Sequence, residues 1–91
     1  MTAILDLTGN PAQVNPDGHG LGRPGQALRL TNAGDDPVFW AIAGRAPTAG
    51  VPGFEIGRGG HHEIAVPVLP LWAWAPGRSR VIATPIGQDG R

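Results

Sequence analysis

The chain has no cysteine, which removes disulfides and thiolate metal sites as supports for its core. It has no lysine either: its seven basic residues are all arginine, and seven acidic residues balance them to a formal charge of zero. With no basic cluster along the chain, nucleic acid is not an expected partner. Tyrosine is absent, and the single serine is Ser79, between Arg78 and Arg80. Nothing around it marks an activated nucleophile. Long uninterrupted stretches are missing as well: with 15 glycines and 10 prolines, the longest run free of both is eight residues, at 1–8 and again at 26–33. Such runs are too short for an ordinary α-helix. The start MTAILDLTGN has neither a basic leading region nor a long apolar run, so a soluble protein made in the cytoplasm is expected, without a signal peptide or membrane span.

What remains is a set of short strand signals in a single domain of 91 residues. A domain of this size buries only roughly 60 to 65% of the surface its unfolded chain exposes, so oligomerisation is the usual route to further stability. The stretch from Gln26 to Gly44 reads as a β-hairpin. Leu28 and Leu30 alternate with polar neighbours, Asn32 to Pro37 carries turn residues, and Val38 to Ala43 is an apolar run with Val38, Trp40 and Ile42 on one face and Phe39, Ala41 and Ala43 on the other. A strand that is apolar on both faces needs cover on both sides.

Further strands are expected at Ala3 to Leu7, at Phe54 to Ile56, at His61 to Val66 (returning from the Gly57 to Gly60 turn), at Leu71 to Ala75 and at Arg80 to Thr84. Residues 15–25, NPDGHGLGRPG, read as a glycine-rich loop or arm that orders against a neighbour, and 86–91 as a polar tail. About seven strands at this spacing predict an all-β fold, a small antiparallel β-sandwich of jelly-roll-like type.

Chemistry-bearing residues are sparse. His61 and Glu63 share a strand face at i, i+2, and His19 can reach them from the arm, which makes these three the metal-ligand candidates. His61 and His62, adjacent on a strand, point to opposite faces. Without a fixed third ligand the set defines no site, and no metal or other cofactor is expected. Glu55 and Glu63, on outward positions of strands expected to neighbour each other, are the one carboxylate pair that resembles a hydrolytic arrangement; exposed acids of this kind are ordinarily solvated, and no enzyme is expected. The tryptophans say more. Trp72 and Trp74 fall on one face of their strand, opposite Leu71, Ala73 and Ala75, and with Phe39 they supply more apolar surface than one small core can take. Phe39, Trp72 and Trp74, with His19, Leu21 and Arg23 of the arm, are therefore the interface candidates. The alternative use of Trp72 and Trp74 is as a platform that stacks glycan rings.

Across residues 26–85 the order of features resembles a group of small bacteriophage virion proteins. Asn32, Gly34 and Pro37 precede Val38 to Trp40; Gly44, Ala46, Pro47 and Thr48 follow; then come Gly53 to Ile56 with Gly57, Leu71 to Trp74, and Val81 to Pro85. The resemblance implies a non-enzymatic virion structural protein, a head decoration or vertex protein or the base of a fibre or spike. It also implies a symmetric homo-oligomer that contacts the major capsid or tail proteins of a phage-like particle, and location in the virion after synthesis in the bacterial host cytoplasm. No heptads or collagen-like stem are present, which speaks against a fibre of its own.

Overall fold

The computed structural model describes residues 3–14, 25–48 and 53–86. Among them the fold is all-β: β1 (Ala3–Leu7), β2 (Ala12–Gln13), β3 (Ala27–Asn32), β4 (Val38–Ile42), β5 (Phe54–Ile56), β6 (His61–Ala65), β7 (Leu71–Trp74) and β8 (Ser79–Pro85). They form two four-stranded antiparallel sheets, ordered β1-β8-β3-β6 and β2-β7-β4-β5. The described residues thus hold eight strands where the sequence predicts about seven. The addition is β2, two residues with no periodicity to announce them. Of the arm expected at 15–25 only Gly25 is described, its N–H donating to the Val66 carbonyl at 2.8 Å, and of the tail expected at 86–91 only Ile86, whose N–H donates to the Ala27 carbonyl at 2.9 Å; the rest of both lies outside the described residues.

The pairing has a simple plan. β1 pairs with β8, β2 with β7, β3 with β6 and β4 with β5, all antiparallel. The first half of the chain therefore runs beside the second half as a two-stranded ribbon, turning at the β4–β5 connection. Two further pairings, β3 with β8 and β4 with β7, fold that ribbon on itself and complete the sheets.

This plan corrects the expected hairpin. β3 and β4 are consecutive but lie in different sheets, and so do β5 and β6. The turn residues between β3 and β4 do reverse the chain, but into a corner between layers. Asn32 at the end of β3 fixes that corner. Its side chain is buried and uses its full hydrogen-bonding capacity: Nδ2 donates to the Asp36 carbonyl at 2.9 Å and to the Ile56 carbonyl at 3.0 Å, while Oδ1 accepts from the Gly34 N–H at 3.0 Å and the Ser79 hydroxyl at 2.8 Å. One amide thus ties the β3–β4 turn to β5 in the opposite sheet and to β8 in its own.

Gly34 lets the corner close. A Cβ there would fall 2.6 Å from the Arg80 backbone nitrogen and 2.7 Å from the Ser79 Cα, and closer still to the Ser79 hydroxyl. Because two of these atoms are backbone, the strand itself would have to move. Gly34→Ala is expected to lower stability by about 1–3 kcal/mol, the usual range for overpacking, as read by chemical denaturation. Asp36 joins the same corner to the next turn, accepting the Arg78 N–H at 2.9 Å.

The core lies between the sheets. Leu7, Leu28, Leu30, Val81 and Ala83 come from one layer, and Val38, Trp40, Ile56, Leu71 and Ala73 from the other. Alternation produces these faces: β3 reads exposed, buried, exposed, buried, and β7 buried, half-buried, buried, half-buried. Two large apolar side chains reach the rim. Phe54 is 62% exposed, and Ile42, at the end of β4, is 43% exposed.

Trp40 spans the layers near the seam between edge strands β5 and β6. Its indole Nε1–H donates to His62 Nδ1 at 2.9 Å, and its ring packs against Phe54 with centroids 4.6 Å apart. Because Nδ1 accepts this bond, the N–H of the neutral His62 ring is on Nε2. His62→Ala removes the acceptor of a buried donor and is expected to cost about 1–3 kcal/mol; His62→Gln, which can restore an acceptor, is expected to recover part of this in the same denaturation measurement.

Candidate functional site

The two outer faces differ in chemistry. On the β1-β8-β3-β6 sheet, cross-strand partners carry opposite charges. Arg29 faces Glu63 across β3 and β6 with a 2.8 Å ion pair, and Arg80 faces Asp6 across β8 and β1 at 2.7 Å. Exposed pairs of this type contribute at most about 1 kcal/mol each; beside them Ile4, on the same side of β1 as Asp6, is 62% exposed, so the face is mostly ion-paired with one apolar side chain at its β1 edge.

The outer face of β2-β7-β4-β5 is aromatic. Register sets Trp72 between Gln13 on β2 and Ala41 on β4, and sets Phe39 between Trp74 on β7 and Glu55 on β5. Phe39 and Trp74 stack, with centroids 6.1 Å apart and planes 15° from parallel. The Trp72 indole N–H donates to the Ala43 carbonyl at 3.0 Å, which fixes the ring against the end of β4. All three rings are half-buried. This surface is therefore organised before any partner arrives, with little rotamer entropy left to lose.

Gly53 is part of that organisation. A Cβ there would lie 2.7 Å from Trp74 Cη2 and 2.8 Å from Cζ2, so the indole packs over the bare backbone before β5. Gly53→Ala is expected to push the Trp74 ring away from Phe39, changing the near-ultraviolet circular dichroism, and, because the Cβ would also press on the Trp40 carbonyl oxygen at 3.1 Å, to lower the unfolding free energy by about 1–3 kcal/mol.

Beside the aromatic face, at the end of β4, Ala41, Ile42, Ala46, Pro47 and Phe54 wall an open apolar groove of about 530 Å³ with Arg45 and Thr48 on its rim. A second cleft, of about 520 Å³, lies where β1 meets β8 between Asp6, Thr8, Arg78 and Arg80. Its Arg80–Asp6 pair is internally matched. Ser79, which also borders it, is buried with its hydroxyl committed to Asn32, a structural role and not that of a nucleophile.

The structure brings together Phe39, Trp72 and Trp74 of the sequence-derived candidates. His19, Leu21 and Arg23 lie outside the described residues. The carboxylate pair does not form: β5 and β6 belong to opposite sheets, so Glu55 and Glu63 sit on opposite outer faces of the sandwich. Of the metal candidates, His61 and Glu63 do share the exposed face of β6 at i, i+2, but Glu63 is held by Arg29. Among the described residues no three His, Asp, Glu or Cys side chains gather as a metal site. Sequence reasoning missed the inward role of His62, whose partner Trp40 is 22 positions away, and it missed the Asn32 knot. A buried asparagine in a turn segment carries no signal beyond its turn propensity. Comparison with known proteins returns no matching family model, no similar curated protein and no similar solved structure.

Proposed function

We propose that this chain is a non-enzymatic structural protein of a phage or phage-like particle, a jelly-roll domain that assembles as a symmetric oligomer on the head or tail. The folded-ribbon pairing of eight strands supports the jelly-roll reading, since that architecture is two four-stranded sheets linked by Greek-key crossings. The observation that carries the functional reading is the aromatic outer face of β2-β7-β4-β5. Pre-packed Phe39, Trp72 and Trp74 form a rigid apolar surface of the kind that anchors protein interfaces, while the other sheet's outer face is ion-paired. Exposed Ile42, Val68 and Leu69 add apolar surface near the same end of the β4–β7 pair, which suits contact with a larger lattice. The protein's work is then mechanical: a stiff sandwich presents fixed surfaces to its neighbours.

The test is immunogold electron microscopy of particles purified from producing cells, with antibody raised against this chain. Regular labelling of one part of the particle is expected. Chain recovered wholly outside particles would overturn the reading.

The second reading is a glycan-binding module. Gln13 and Glu55 flank the rings on the same face, and polar groups beside aromatic platforms are what sugar hydroxyls require. It predicts saturable quenching of tryptophan emission by oligosaccharides, lost in Trp72→Ala; a flat titration across a broad glycan panel removes it.

A further inference from the structure

We propose that the aromatic face of β2-β7-β4-β5 docks face to face with the same face of a second copy, about a two-fold axis near Ala41, with Glu55 of each copy meeting Arg45 of the other. This deepens the oligomeric reading above and rests on it. Most charged side chains of the described residues are already matched: Asp6 with Arg80, Glu63 with Arg29, Asp35 with Arg58, and Asp36 with the Arg78 N–H. Among the described residues, Glu55, Arg45 and Arg78 are left without a side-chain partner. Glu55 lies on the aromatic face, and Arg45 lines the groove beyond the end of β4, beside Ala41 and Ala43 of that face.

Their positions are opposite along β4. Glu55 lies directly across from Phe39, near the start of β4, on the same face as the rings. Arg45 follows Ile42, the last residue of β4, and borders the groove there with Ala41 and Ala43. At about 3.4 Å per residue, the two ends of this strand are separated by more than a side chain's reach, so the charges do not satisfy each other within one chain.

A two-fold axis in the plane of the interface and perpendicular to β4 sets the start of one β4 over the end of the other. The acidic end of each face then meets the basic end of its partner twice. Symmetric closure of this kind makes one patch self-complementary and limits growth to a dimer unit. Phe39, Trp74 and Trp72 become the dry centre, and the two Glu55–Arg45 pairs form its rim, fixing orientation.

Charge-swap rescue tests this, read by light scattering of the purified full chain over a concentration series. Arg45→Glu and Glu55→Arg each place like charges across the axis, and each is expected to raise the dimer dissociation constant at least about tenfold. The double swap reverses both ends together and is expected to restore association to near the unmodified level. Both positions are exposed, so thermal melts of all variants are expected to coincide, which separates loss of assembly from loss of fold. Association that ignores all three variants, or single swaps that the double swap does not rescue, would overturn this interface while leaving assembly through another surface, and hence a structural role, intact. A monomer throughout the series would overturn this interface too; labelling of particles would then decide the functional proposal separately.

Discussion

Replacing Asn32 by alanine is expected to lower the unfolding free energy by at least about 3 kcal/mol, the largest effect of any single polar substitution in this domain. The side chain makes four hydrogen bonds. Its loss leaves the carbonyls of Asp36 and Ile56, the Gly34 N–H and the Ser79 hydroxyl without that partner, in a place where Asn32 itself is 1% exposed. Each buried polar group left unmatched costs about 1–3 kcal/mol, and water entering the vacated space offsets part of the sum. At the usual stability per residue, 91 residues hold only roughly 5–14 kcal/mol in total, so the substitution removes a large share of it. Asn32→Asp separates geometry from chemistry: the shape is kept, but two donors become acceptors facing two carbonyls, and the variant is expected to be no more stable than Asn32→Ala. Urea denaturation followed by tryptophan emission measures both. A loss below about 1 kcal/mol for either would show that the corner does not depend on this amide.

Trp40→Ala is the second. The ring is 7% exposed, packs on Phe54 and donates across the sandwich to His62. Large-to-small changes at buried aromatics cost about 3–5 kcal/mol, and here the cavity opens at the seam between two edge strands. The expected outcome is a fold at the margin of stability, with a broadened denaturation transition and early loss of the β5–β6 side. Trp40→Phe keeps most of the burial and loses the hydrogen bond, leaving His62 to find water, and is expected to cost roughly 1–2 kcal/mol. The difference between the two variants measures packing against the cross-sheet bond.

Both substitutions bear on how the chain encodes its fold. Strands with clean alternation were legible from the sequence. β1 has the bounds that Ala3, Leu5 and Leu7 predict, and β7 splits into Trp72 and Trp74 outside and Leu71 and Ala73 inside, as its spacing requires, with Ala75, just past its end, also buried. Periodicity is local, and these are local properties. Which strands pair is not a local property. Consecutive strands usually neighbour each other, and on that basis β3 and β4 read as a hairpin; among the described strands only β4 and β5 pair with a sequence neighbour. The reversal between β3 and β4 was visible in Asn32, Gly34 and Pro37, but its direction was not. The direction depends on Asn32 reaching the Ile56 carbonyl 24 residues away and on Gly34 nesting against Ser79 and Arg80. The same error carried Glu55 and Glu63 into a false pairing, because strands taken as neighbours were in fact in opposite layers.

The candidate surface was more legible than the topology. Phe39, Trp72 and Trp74 could be assigned outward from two strands read separately, since an outward position on a strand does not depend on which strand lies beside it. The register was not legible, and it sets Phe39 directly across from Trp74 so that the two rings stack. His62 shows the converse. It read as one of two adjacent imidazoles beside a turn, yet its ring accepts the Trp40 N–H inside the sandwich, a role that exists only once the two sheets face each other.

The account stands on the aromatic sheet face being a protein-binding surface. Sedimentation velocity of the unmodified chain, beside a Trp72→Arg, Trp74→Arg double variant over the same wide concentration range, tests this most directly. The account predicts a discrete oligomer for the unmodified chain and a folded monomer for the variant, because two guanidinium groups cannot be buried unpaired in a dry interface. Identical oligomers from the two proteins would contradict it.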